Sequence, residues 1–203
     1  MRESSRAPGA EPADLTDIAR HLEACRQCPL WERATCAVPG AGPADARLMI
    51  VGEQPGDRED LTGRPFVGPA GKLLDRALAE AGIDRSDAYL TNAVKHFKWT
   101  PRGKHRLHQK PDVGEIEACK TWLLRELDIV APRVLILLGA TAARSLLGPG
   151  VSVTRDRGRI DAPQLAERVI LTVHPSFLLR IPDKARAEEE YRRFTADLAR
   201  AVT

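Results

Sequence analysis

Two histidines, two lysines and an arginine share eight consecutive positions in KHRLHQKP, residues 104–111. Basic side chains at that density suit contact with phosphate, and a histidine among them is a candidate ligand, acid, base or nucleophile. The positive character extends beyond the stretch. No acid stands between Asp87 and Asp112, an interval that carries Lys95, Lys98, Arg102, Lys104, Arg106 and Lys110. The formal net charge of +3 says less, since solubility alone explains it. Other residues with chemical potential are Glu53 and Gln54 in GEQPGDRED, Asn92 in TNAVK, His174 in TVHPSFLLR, and the pair Cys25-x-x-Cys28.

The elements that must position them follow from the apolar patterning. LMIV (48–51), DAYLTNAV, RVLILLGA and ERVILTVHP read as strands, and their near-continuous apolar character implies a parallel sheet covered on both faces. Between them, GPAGKLLDRALAEAG predicts a helix closed by Gly82, and DVGEIEACKTWLLRELDIVAP a long amphipathic helix. TAARSLLG predicts a short helix, VSVTRDRGRI a β-excursion, and KARAEEEYRRFTADLARAV the terminal helix. DLTDIARHLEAC places Leu15, Ile18, Ala19 and Leu22 on one helical face, with Asp14 as a candidate cap. The expected fold is a three-layer α/β/α domain over residues 14–203, built on a central four-stranded parallel sheet. Residues 1–13 read as a disordered polar tail. Ligands of such sheets sit outside the carboxyl ends of the strands, so Glu53, Gln54, Asn92, His108 and His174 should converge at one edge.

Several familiar chemistries fail. GPAGKLL lacks the distal glycine of a phosphate loop and has Leu73 where a magnesium-binding hydroxyl should stand. No G-x-S-x-G elbow, no H-E-x-x-H and no G-x-G-x-x-G after the first strand occurs. With no apolar run of ~18 residues and no signal peptide, the expected compartment is a reducing bacterial cytoplasm, in association with the nucleoid. There, four cysteines suit metal binding or free thiols better than disulfides. Counting alone makes Cys36 the fourth donor beside Cys25, Cys28 and Cys119. Asp57 and Asp60 are open between shaping the pocket and capping a helix.

VGEQPGDRED, GRPFVGPAGKLL, TNAVK and VHPSFLLR, in this order, resemble the iron–sulfur uracil-DNA glycosylases of family 4, from about Cys25 to the terminal helix. Gln54 and the GKHRLH insertion resemble that family's X-type branch, whose members bond covalently to DNA after removing uracil. The resemblance implies that Phe66 stacks on the base and Asn92 offers its amide to the O4/N3 edge of uracil, with Gln54 and Asp57 shaping the pocket. It implies that His174 hydrogen-bonds uracil O2 as charge develops, and that His108, oriented by Glu53, attacks the sugar. Lys104, Arg106, Lys110, Ser176 and Arg180 become DNA contacts, with Phe177 and Leu178 against the strand. The implied partner is uracil-containing DNA, preferably single-stranded, met by a monomer. The implied cofactor is a 4Fe-4S cluster on Cys25, Cys28, His96 and Cys119, His96 standing where the family carries cysteine; zinc is the alternative. Two other functions remain open: an ordinary turnover glycosylase in which His108 only contacts DNA, and a non-catalytic, metal-stabilised nucleic-acid binder.

Overall fold

A computed structural model describes residues 13–202, so all but Ala13 of the expected tail lies outside the described residues. The strands are β1 (Leu48–Gly52), β2 (Ala88–Asn92), β3 (Trp99–Arg102), β4 (His105–His108), β5 (Val134–Leu138), β6 (Gly158–Ile160) and β7 (Arg168–Thr172). The helices are α1 (Leu15–Glu23), α2 (Asp57–Thr62), α3 (Pro69–Glu80), α4 (Val113–Val130), α5 (Ala140–Leu147), α6 (Val153–Asp156), α7 (Pro175–Leu178) and α8 (Lys184–Ala199). The main sheet has the order β2-β1-β5-β7-β6. Its first four strands are mutually parallel, as the apolar runs require, and β6 adds a short antiparallel edge. The sheet therefore has five strands rather than four, and the expected excursion divides into the turn of α6 and the three residues of β6.

The two-residue period of the strands builds the layers. Met49, Val51, Leu135, Leu137, Val169 and Leu171 face α4 and α5, whereas Ile50, Leu90, Ile136, Leu138 and Ile170 face α3 and α8. Helix ends match the sequence signals. Asp14 accepts from the Asp17 N–H, and Asp112 caps α4 in a reciprocal box with Glu115. Gly82, at φ +75°, lies just past α3 in the left-handed region its missing Cβ permits.

The basic stretch is not a loop. Trp99–Arg102 and His105–His108 pair antiparallel, Trp99 opposite His108 and Arg102 opposite His105. Gly103 and Lys104 form the connection, with positive φ (+60°) at Gly103 alone, as a type II′ hairpin turn demands. The ribbon is short and polar and carries Pro101, so it shows no apolar alternation in the sequence.

Behind it lies a charged pair without solvent. Lys95 and Glu126 are both fully buried, with Nζ 2.5 Å from Oε2. Lys95 Nζ also donates to Thr91 Oγ1 (2.6 Å) and to the Asn92 carbonyl (2.9 Å). Glu126 accepts from the Thr91 hydroxyl at 2.7 Å and from the Gly40 N–H at 2.9 Å. Removing one partner strands the other charge in the core. Glu126→Ala is expected to lower stability by about 3–5 kcal/mol in urea unfolding. Lys95→Met combined with Glu126→Leu should cost clearly less than the sum of the two single changes.

Candidate active site

The carboxyl ends of β1, β2 and β7 and the root of the hairpin enclose a cleft of about 250 Å³, lined by Gln54, Asp57, Phe66, Asn92, His108, His174, Ser176 and Arg180 among others. Glu53, in the step after β1, meets it through His108. The convergence expected at one sheet edge is present. Gly52 makes it possible: a Cβ there would lie 2.4 Å from Asn92 Oδ1 and 2.6 Å from Phe66 Cζ. The Asn92 side chain is buried at this point and makes no hydrogen bond to protein among the described residues, so its amide is available to a ligand.

Phe66 is one of two non-glycine residues with positive φ among those described, at +56°. Glu59 sustains that bend, with Oε1 accepting from the N–H groups of Val67 (2.9 Å) and Gly68 (2.8 Å). Arg85 donates to the Phe66 carbonyl at 3.3 Å. The ring so placed lies 6.2 Å from that of His174, tilted 28°. Glu59 has no role in the sequence patterns; its signal is an acid three residues after Gly56, the spacing of a capping box.

His174 is fixed in one tautomer. Its Nδ1 accepts from the Ser176 N–H at 3.2 Å and contacts Ser176 Oγ at 2.9 Å, which leaves the ring proton on Nε2 as a donor. Burial, reinforced by His108 and Arg180, pushes its pKa down to about 4. It is a neutral donor at ordinary pH. Ser176, expected to meet phosphate, is engaged here in orienting His174.

Gln54 ties the hairpin root to the sheet edge. Its Oε1 accepts from the Lys98 N–H at 3.0 Å, which fixes Nε2 as the donor to the Gln109 carbonyl (2.9 Å) and to His108 Nε2 (2.8 Å). His108 Nε2 also lies 3.5 Å from Glu53 Oε1. Burial lowers the His108 pKa and Arg180 adds to this, while Glu53 opposes it. The other Glu53 oxygen accepts from the hydroxyl of Thr141, at the start of α5, a contact with no sequence signal.

Arg106 is half-buried and engaged by the protein itself. It donates to Asp57 (2.6 Å) and to the buried Asp60 (2.5 Å) and lies over the rings of Phe97 and Trp99. Asp57 and Asp60 thus anchor the hairpin to α2, and Asp57 also borders the cleft. Lys104 and Lys110 are exposed and form no ion pair among the described residues. Arg180 is exposed at the cleft margin, with Phe177 exposed and Leu178 buried beside it.

Cys25 and Cys119 are buried in the cluster that joins α1 to α4, with Cys28 against it. Sulfur receives N–H donors here, from Trp122 Nε1 to Cys25 (3.3 Å) and from the Lys95 backbone to Cys119 (3.2 Å). Burial lifts the Cys119 thiol to about 12. His96 is buried and its Nδ1 has no partner among the described residues; burial, reinforced by Arg26 between the two N-terminal cysteines, lowers its pKa. Cys36 stands apart and donates to the Asp60 carbonyl at 3.1 Å. Among the described residues, no three His, Cys, Asp or Glu side chains form a single-ion site. The donor chemistry nevertheless fits a thiolate-held group: three sulfurs, N–H donors aimed at two of them, and an orphaned imidazole nitrogen.

Residues 39–199 match the family model described as Uracil DNA glycosylase superfamily, and the chain belongs to that superfamily. Its relatives narrow the placement to the type-4 family. It is similar to the type-4 uracil-DNA glycosylase of Thermotoga maritima, 41% identical over 164 residues, covering 80% of this chain and 82% of that protein. The type-4 uracil-DNA glycosylase of Archaeoglobus fulgidus is 35% identical over 184 residues, 87% of each chain. A type-5 uracil-DNA glycosylase of Thermus thermophilus is 33% identical over 146 residues, 64% of this chain and 62% of that protein.

The tautomer and burial of His174 carry a pH signature. Its ring resonances should titrate near pH 4 by NMR, against about 6.5 in the unfolded chain. Between these values the unfolded chain binds a proton that the folded one refuses. His174 therefore makes stability fall as pH drops from about 6.5 toward 4. A midpoint above 6 would contradict the assigned environment.

Proposed function

We propose that this protein excises uracil from DNA and that His108 then captures the sugar it leaves behind. The observation that carries the reading is the position of His108 Nε2. It lies 3.5 Å from Glu53 at the wall of the cleft that holds Asn92, Phe66 and His174. Uracil in a duplex is out of reach, so an unpaired or flipped nucleotide must enter, which favours single-stranded DNA as substrate. Phe66 provides the face on which the base rests. The free amide of Asn92 pairs with the O4/N3 edge, where cytosine presents the opposite donor–acceptor pattern. Lys104, Lys110 and Arg180 supply charge for the strand.

The N1–C1′ bond breaks with its electron pair departing on uracil N1. His174 Nε2–H donates to O2 as that negative charge develops. Glu53 faces the positive sugar. The Nε2 lone pair of His108, held until then by the Gln54 amide, forms the bond to C1′. The resulting imidazolium releases its remaining N–H proton, and uracil N1 takes one up, so atoms and charge balance. Nothing in this sequence restores the free histidine, and each molecule reacts once. Work on DNA as a monomer at the nucleoid accords with this reading. We further assign Cys25, Cys28, Cys119 and His96 to a four-iron cluster, in preference to zinc. Bound there, it would act structurally, cross-linking the N-terminal segment to α4 and to the root of the hairpin.

A single-stranded oligonucleotide bearing one uracil should give a heat-stable, slow-migrating band on a denaturing gel, absent with thymine and absent for His108→Ala. Abasic product accumulating over many turnovers with no such band would support the ordinary turnover enzyme instead. Binding indifferent to uracil would support the non-catalytic binder. For the cluster, iron content per chain is expected to fall in His96→Ala and to persist in Cys36→Ser; the reverse result would make Cys36 the fourth ligand.

A further inference from the structure

We propose a second nucleotide site in the groove beside the hairpin root, which takes an unpaired base flanking the uracil; the inference rests on the excision reading above. The groove has a volume of about 240 Å³ and an apolar floor of Leu30, Phe97 and Trp99, with Arg33, Thr100 and Gln109 at its polar margin. Aromatic and aliphatic floors of this kind accept any base, because every base has a π-face.

The groove and the cleft are lined by consecutive residues of the chain, Gln109 and His108. Gln109 lines the groove and directly follows His108, whose Cα is about 3.8 Å away along the chain. Its carbonyl accepts from Gln54, which also holds the His108 ring. Trp99 is the register partner of His108 in the ribbon. A strand that places one nucleotide against His108 therefore brings a neighbour to this groove.

Its charge suits the same occupant. Arg33, Arg102, Lys104 and Lys110 are exposed and form no ion pair among the described residues. The acid at the rim is Glu32, and Lys98 is already neutralised by Asp112 and Glu115. A chain of phosphates carrying bases meets both the apolar floor and the unpaired Arg33 at its margin, with Lys110 next to Gln109 in the chain. Trp99 is also pre-positioned, because its Nε1–H donates to the Arg33 carbonyl at 2.9 Å and Arg106 lies over its ring. Little side-chain freedom is lost when a base stacks there.

The test uses the full-length protein and single-stranded oligonucleotides with one uracil, in which each neighbour in turn is an abasic spacer that keeps its phosphate. Uracil release is followed in a single turnover below saturating protein. One spacer position is expected to slow release by about 5- to 100-fold, the contribution of one base–aromatic stack. In Trp99→Ala that position should lose its sensitivity. Arg33→Glu, an exposed change at the margin that leaves the Trp99 ring in place, should weaken binding of the intact strand without abolishing release. Equal rates at every spacer position in the unaltered protein, or a sensitivity that survives Trp99→Ala, would overturn the proposal. Failure to release uracil from the unmodified oligonucleotide would instead remove the excision reading on which it rests.

Discussion

The fully buried contact between Lys95 and Glu126 joins three separate parts of the chain. A lysine and a glutamate with no solvent access are tolerable only because each is saturated by short hydrogen bonds. Those bonds reach the end of β2, the last turns of α4 and the segment before β1. Two consequences follow at the functional residues. Lys95 Nζ holds the carbonyl of Asn92, whose side chain faces the cleft, and the Lys95 N–H is directed at Cys119. Tyr89 adds to the same network and is kept protonated by burial beside Glu126. The cleft and the cysteine cluster are therefore two sides of one rigid joint.

The hairpin is anchored differently, from its polar face. Arg106 bridges Asp57 and Asp60 and covers two aromatic rings, so a ribbon too short to be stable alone becomes part of the wall of the cleft. Gln54 then secures its root. An arginine that reads as a DNA grip in the sequence is thus the fastening that aims its neighbour two residues on. Within KHRLHQKP, the cations left for an anionic strand are those at the turn and beyond it, Lys104 and Lys110.

The histidines show how environment divides one side-chain type into separate roles. His174 is held by Ser176 as a neutral Nε2–H donor and resists protonation. His108 has its Nε2 lone pair held by an amide donor and a carboxylate close by. His96 is buried with a nitrogen that has no hydrogen-bond partner among the described residues. One ring donates, one presents a lone pair, and one is buried with a nitrogen left unpaired among the described residues.

Most of the scaffold was determined by the sequence itself. Short apolar runs such as VLILL and RVILT, bounded by turn residues, suit strands buried on both faces, and the caps at Asp14 and Asp112 are local chemistry complete within four residues. The edge at which Glu53, Asn92 and His174 meet follows from strand direction, so those residues were legible too. What only the tertiary structure decided are interactions between segments far apart in the chain. The hairpin exists because Arg106 finds Asp57 and Asp60, the bend at Phe66 because Glu59 reaches Val67 and Gly68, and the Glu53 orientation because Thr141 arrives from α5. None of these leaves a periodic trace, since each is a single polar contact whose geometry is set by the packing of the apolar elements around it.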